Sequence, residues 1–266
     1  MFTVSKCQCQ GSREYQEDTH VSGPVGQKMQ TAAVFDGHGG VELAKVCATH
    51  FLSYLSASLQ RHNNDGVRAL RDSLSRIDQH AKAQMPTTTA GTTACAVLVS
   101  PTTIYSANVG DSGAILFSLA DNGRVYKLTE AHKPEVPSET DRILRGGGFV
   151  TPPHHTDGVH RVMGRLSVSR ALGDYDMRPW VSDVPEFTQH MIGPHDQFVV
   201  LATDGVWDVM SANEVGWSIR NALKSGTHPH DALRQVLQES RLRGSGDNIT
   251  LLLVDLRDPQ KRFYYY

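Results

Sequence analysis

The chain has 266 residues, 39% of them hydrophobic and 20% charged, and a net charge of −2. This is an ordinary globular composition, long enough for a sizeable core, and its near-neutral charge gives no basic track for nucleic acid or for an anionic membrane. No apolar run reaches bilayer-spanning length, "MFTVSKCQCQ" lacks a signal-peptide core, and Phe2 excludes N-myristoylation of the chain as written.

The first informative stretch is "CQCQGSREYQED". Cys7, five residues and then Arg13 is the spacing by which cysteine-dependent phosphatases pair a thiolate with a phosphate-gripping arginine. Such a loop needs a buried strand before it and a helix N-terminus after it, so that backbone amides stabilise thiolate and phosphate. Only six polar-rich residues precede Cys7, and Glu14 follows the arginine, so Cys7 reads as an ordinary strand residue. The other cysteines, Cys9, Cys47 and Cys95, are few and irregularly spaced, which predicts reduced thiols in a cytoplasmic or nuclear protein.

Further along, "TAAVF" (Thr31–Phe35) is a short strand ending at "DGHGG". Ala44, Cys47, Ala48, Phe51, Leu52, Leu55 and Leu59 then recur at helical spacing, and "DGVRALRDSLSRIDQHAKAQ" predicts a second helix. "TTACAVLVS", "TIYSANVG", "GAILFSL" and "VYKLT" read as consecutive strands, with "DNG" at residues 121–123 as a hairpin signal. Tight turns between successive strands imply antiparallel pairing. Residues 132–185 read as a surface excursion or flap with one short helix near "SETDRILRGGG". "DQFVVLATDG" is a buried strand, "SANE" a capping box opening a helix to about Lys224, His230 to Arg241 another helix, and "DNITLLLVDL" the last strand. A single domain over residues 1–266 and a monomer are the simplest expectations.

Three aspartates sit at strand ends: Asp36 in "VFDGHGG", Asp204 in "ATDGVWD" and Asp247 in "SGDNITLLL". An isolated Asp-Gly marks a turn. Three gathered at one sheet edge need a cation between them, and hard oxygen donors suit Mg²⁺ or Mn²⁺ rather than zinc.

"GSREYQED", "VFDGHGG", "AGTTACAV", "ANVGDS", "LSVSRALGD", "ATDGVWD" and "SGDNITLLLVDL" occur in the order seen in type-2C, metal-dependent serine/threonine protein phosphatases. The chain resembles that family from about Val4 to Leu256. The resemblance implies an α+β fold, a four-layer α-β-β-α sandwich of two antiparallel sheets flanked by helices. It also implies hydrolysis of phosphoserine and phosphothreonine in protein substrates by a hydroxide that bridges two Mg²⁺ or Mn²⁺ ions. By motif, Asp36 would bridge the metals and the Gly37 carbonyl would bind one of them. Asp204 and Asp247 would complete the second, with Glu17 acting through coordinated water. Asp18 would orient that water shell, Asp111 would serve a third, weaker ion, and Thr93 would support the site. Arg13 would hold the substrate phosphate and His38 would protonate the departing oxygen. Gly113 departs from the family's usual arginine, and "VTPPHHTDGVH" is unusual for the flap.

Rival readings are a catalytically inactive scaffold of the same fold and a metal-dependent phosphodiesterase or nuclease. His154, His155 and His160 form a weak transition-metal candidate, more readily read as a solvated loop. The Tyr264–Tyr266 tail is a disordered end or a docking element.

Overall fold

The computed structural model describes residues 2–153 and 158–257. Strands β1 (Thr3–Cys9), β2 (Thr19–Val25) and β3 (Met29–Phe35) lead to a two-residue strand β4 (Gly37–His38) and two long helices, α1 (Glu42–Arg61) and α2 (Gly66–Gln84). A second short strand, β5 (Gly91–Thr92), precedes β6 (Ala94–Val99), β7 (Thr103–Val109), β8 (Gly113–Ser118) and β9 (Arg124–Lys127). The next segment carries α3 (Pro137–Arg145), β10 (Val150–Thr151), β11 (Arg161–Val162) and β12 (Leu172–Gly173). The chain closes with β13 (Glu186–Met191), β14 (Asp196–Ala202), the single turn α4 (Asp204–Trp207), helices α5 (Ala212–Lys224) and α6 (Pro229–Leu242), and β15 (Ile249–Asp255).

Two five-stranded antiparallel sheets result, ordered β1-β15-β14-β8-β9 and β13-β7-β6-β3-β2. Period-2 alternation explains their stacking. On β3, Ala33 and Phe35 face α1 and α2, where Phe51, Leu55, Leu70 and Leu74 pack, while Ala32 and Val34 face the opposing sheet. On β15, Leu251 and Leu253 face α5 and α6, while Leu252 and Val254 point between the sheets. Both faces of each central strand are therefore covered, which is why "LLLV" and "FVVLA" read as unbroken apolar runs. The layers are helix, sheet, sheet, helix, as the α+β expectation held.

Local signals fall where their chemistry predicts. Asp65 caps α2 by accepting from the Arg68 amide at 3.0 Å, and Ser211 and Glu214 form a reciprocal capping box on α5. Residues 120–122 turn β8 into β9, with Asn122 and Gly123 both at positive φ. Cys7 lies in the edge strand β1 opposite Leu251, half-buried, and burial raises its thiol pKa above the ordinary value. That is the reverse of what a nucleophilic thiolate needs.

Residues 132–185, expected as a surface excursion or flap, carry the short helix α3 at its expected place. The segment has its own small core of Ile143, Val162, Val168, Ala171, Met177 and Val181. At its centre the buried Glu139 carboxylate accepts from Ser169 Oγ at 2.8 Å and pairs with Arg142 and Arg170. Its end is woven into the body of the protein, because β12 pairs with β5, which pairs in turn with β4. Apolar periodicity is weak in this region because a three-way ion pair and two-residue strands hold it. His154, His155 and Tyr264–Tyr266 lie outside the described residues. His160 approaches Glu135 at 3.8 Å.

Candidate active site

One end of the sandwich opens into a cavity of about 270 Å³ lined by Arg13, Glu17, Asp36, Gly37, His38, Thr93, Asp111, Asp204, Asp247 and Asn248, with Arg161, Arg165 and Leu166–Val168 along one wall. Each acidic residue stands where a strand ends or begins. Asp36 follows β3, Asp111 follows β7, Asp204 opens α4 after β14, and Asp247 precedes β15. Glu17 and Asp18 arrive on the loop between β1 and β2. The strands fix where these backbone points emerge, so carboxylates far apart in sequence meet at one sheet edge.

Supporting contacts hold this constellation. Thr93 accepts from the Asp36 amide at 3.2 Å and exchanges a 2.7 Å hydrogen bond with Ser112, and Thr92 Oγ1 donates to the Asp36 carbonyl at 3.0 Å. Glu17 Oε1 accepts from the Gly40 amide at 2.7 Å. Asn248 ties the Arg13–Glu17 loop down: its Oδ1 accepts from the Glu17 amide, and its Nδ2 donates to the carbonyls of Gln10 and Tyr15. Gly37 permits the closeness of the two loops, since a Cβ there would stand 2.7 Å from the Glu17 carbonyl oxygen. Arg13 donates to Asp247 Oδ2 at 2.7 Å, placing the guanidinium at the cavity mouth. His38 Nε2 lies 2.7 Å from Asp174 Oδ2.

The electrostatics are those of an excess of buried negative charge. Burial pushes the Asp36 carboxyl well above the usual carboxylate range, and the charges of Asp204, Asp18, Asp111 and Asp247 push the same way. Asp204 is raised in the same manner, by burial and then by Asp111, Asp208 and Asp247. Asp18 rises to about 6, chiefly through burial and in spite of hydrogen bonds from Thr250 and Thr203. Burial also takes Asp111 to about 6, against the attraction of Lys133, whose ammonium lies 3.7 Å away. Burial alone would lower the His38 pKa, but the hydrogen bond and charge of Asp174 outweigh it and hold it above the ordinary histidine value.

These residues suit divalent cations. Every donor is a hard oxygen, the carboxylates repel one another without a positive charge between them, and the buried Asp18 Oδ1 has no hydrogen-bond partner. Among the described residues no three acidic, His or Cys side chains converge as a preformed cage. The carboxylates line the walls of the cavity, where water could complete the shell of a bound ion.

All ten expected site residues are therefore neighbours. Nine of them reach the cavity or its rim or contact a residue that does, and the tenth, Asp18, sits beneath it as a buried group bonded to Thr203 and Thr250. Sequence reading missed Asn248, Asp174, Arg161 and Arg165. Asn248 was signalled by its place in "GDN" against an apolar strand, and Asp174 by the Gly-Asp that ends "LSVSRALGD". The two arginines reach the cavity only through the fold of the segment that carries them. Gly113 lies against Trp207 and lines a neighbouring cavity of about 330 Å³.

The family model "Protein phosphatase 2C" matches residues 2–249, and the chain belongs to that family, whose members are metal-dependent serine/threonine protein phosphatases. It is 34% identical to protein phosphatase 1B of Rattus norvegicus, over 92% of this chain and 68% of that protein. It is 36% identical to human protein phosphatase 1F, over 98% of this chain and 58% of that protein. The chain thus spans between about half and two thirds of the length of these curated relatives. Among solved structures, a C. elegans sex determining protein superposes with a TM-score of 0.87 at 28% identity, over 99% of this chain and 67% of that one. Serine-threonine phosphatase 2C of Toxoplasma gondii superposes with a TM-score of 0.85, over 96% and 95% of the two chains, and at 24% identity it shows the shared fold.

Proposed function

We propose that this chain removes phosphate from phosphoserine and phosphothreonine in proteins. The observation that carries the reading is the convergence of Asp36, Asp204, Asp247, Asp111 and Glu17 with Arg13 and His38 on one cavity. Asp36, the Gly37 carbonyl, Asp204, Asp247 and Glu17 would hold two Mg²⁺ or Mn²⁺ ions, with Asp111 serving a weaker third. When bound, such ions neutralise phosphate charge and lower the pKa of water toward neutrality.

The chain's own residues do the rest. Arg13 offers a planar, bidentate fork to phosphate oxygens, exchanging its Asp247 partner for the substrate. Asp18, fixed by Thr203 and Thr250, keeps one oxygen for ordered water. His38 supplies a proton to the serine or threonine oxygen, which leaves poorly as an alkoxide. Thr93 supports the Asp36 backbone. No phosphoenzyme is needed, consistent with Cys7 packing beside the helix layer of the β1 sheet rather than lining the cavity.

Among the described residues no helix is long and apolar enough to cross a membrane. The four cysteines are free thiols. Free thiols fit a reducing compartment such as the cytoplasm or nucleus, and the proposed form is a monomeric single-domain enzyme acting on phosphoproteins. A panel of phosphothreonine peptide, phosphotyrosine peptide and bis(p-nitrophenyl) phosphate tests the reaction class. Turnover of the first well above the others is expected. Preference for the diester would favour the phosphodiesterase reading, and no turnover of any would favour the scaffold.

A further inference from the structure

His38 and Asp174 are 136 residues apart in the chain, and three independent features bring them together. The first is the small sheet β4-β5-β12, which sets His38 opposite Gly91 and Gly91 opposite Gly173, one residue before Asp174. The second is the backbone at Asp174, in the left-handed region at φ 45°, ψ 43°, where Asp and Asn are the favoured non-glycine residues. The third is the clearance at Gly91. A Cβ there would fall well inside contact distance of both Asp174 Oδ2 and His38 Nε2, so the glycine leaves the space in which the hydrogen bond forms.

The Asp174 turn is in turn anchored to the core. Asp78, buried on α2, accepts from the Gly173 amide at 2.8 Å, and Tyr175 donates its hydroxyl to the Asp78 carbonyl at 2.9 Å. The Asp174 side chain is 2% exposed, and its Oδ2 lies 2.7 Å from the imidazole. A buried carboxylate, held by a left-handed turn and fitted against a glycine, is an expensive arrangement if its only purpose is stability.

From this geometry, and resting on the reading of His38 as proton donor, we infer that Asp174 is the positioning residue of that donor. It holds Nε2 and leaves Nδ1 as the ring nitrogen for the substrate. In the step served, the phosphorus–oxygen bond to serine or threonine breaks with its electron pair on the departing oxygen. A proton from His38 converts that oxygen to a hydroxyl. Water supplies the new oxygen on phosphorus and gives up the proton that restores the histidine. Orientation of the ring matters only where the leaving oxygen is basic enough to need that proton.

The test compares a phosphothreonine peptide, with a poor leaving group, against p-nitrophenyl phosphate, whose leaving group needs no acid. It uses the metal-loaded full chain carrying Asp174→Asn, Gly91→Ala, His38→Gln or His38→Gln with Asp174→Asn. Asn keeps the left-handed turn, and Gly91→Ala displaces the pair while leaving both residues chemically unchanged. Melting temperature and Mn²⁺ affinity by calorimetry accompany each variant. The inference expects His38→Gln to lower kcat on the peptide by about 100-fold or more. Asp174→Asn and Gly91→Ala should each lower it by about tenfold or more, with p-nitrophenyl phosphate losing far less and the double variant no worse than His38→Gln. An equal loss on both substrates in Asp174→Asn, or no loss, with the leaving-group signature kept in His38→Gln, overturns the positioning role alone. Absence of that signature in His38→Gln overturns the reading of His38 as proton donor, and the inference with it.

Discussion

The two walls of the cavity are built differently. One wall, Asp36, Asp111, Asp204 and Asp247, stands on the ends of long strands whose both faces are packed. The other, Arg161, Arg165 and the approach to Asp174, stands on a segment with two-residue strands, a six-residue apolar cluster and the buried Glu139 ion pairs. The first wall is acidic and suited to cations, and the second faces it with arginines. Rigid placement of metal-type donors needs the sandwich, whereas the facing wall is held by a few charged contacts that a small change can loosen. That contrast predicts that variants on the two sides fail in different ways.

On the acidic wall, function and stability should oppose each other. Asp204→Asn is expected to reduce phosphopeptide hydrolysis by more than about 100-fold, beyond the 10- to 100-fold typical of losing a supporting contact. Its fold, followed by circular dichroism, should stay intact. A well-folded variant with near-normal rate would break the comparison at its strongest point.

On the facing wall, stability should fall first. Glu139→Gln leaves Arg142 and Arg170 without their shared counter-charge, at a cost of about 2–4 kcal/mol, reduced from the fully buried case because both arginines retain some solvent contact. Urea unfolding with an unchanged slope measures it. A loss below about 0.5 kcal/mol would show that the ion pairs are incidental.

The same carboxylate sets an acid limit. Burial alone would raise the Glu139 pKa, but hydrogen bonds from Arg170, Arg142 and Ser169 outweigh it and bring it from 4.5 to about 2. A folded-state pKa below the unfolded one contributes its full stability above about 4.5 and loses it as the pH falls from there toward about 2. The stability gap between wild type and Glu139→Gln should therefore shrink across that window. A gap that stays constant down to pH 3 would remove Glu139 from the account.

The smallest effect sharpens the contrast from the acidic side. With metal chelated by EDTA, Asp36→Asn relieves like-charge repulsion and should raise stability by about 1 kcal/mol, or about 2–4 °C in melting temperature. A lower melting temperature would mean that the Asp36 carboxylate is itself a structural element.

The sequence made most of the sandwich readable because its physics is local. Unbroken runs such as "LLLV" require burial on both faces, "SANE" is a complete cap, and an aspartate at each of three strand ends marks the acidic wall. β1, β2 and β13 were harder, since edge strands are half-exposed and their apolar alternation is weak. The segment at 132–185 resisted for a different reason. Glu139 finds Arg170 and Ser169, and Asp174 finds His38, across 30 to 136 residues. No window of sequence contains both partners of such a contact. The family resemblance supplied the roles of Arg13 and His38, but it did not reveal the partner that orients the histidine.

The most direct test of the central claim is hydrolysis of a phosphothreonine peptide by wild type and Cys7→Ser in Mn²⁺, in Mg²⁺ and in EDTA. The account predicts turnover with either metal and none in EDTA, with Cys7→Ser within about threefold of wild type because Cys7 lies outside the cavity. Activity that persists in EDTA and disappears in Cys7→Ser would contradict it, moving the chemistry from the carboxylate cavity to the thiol.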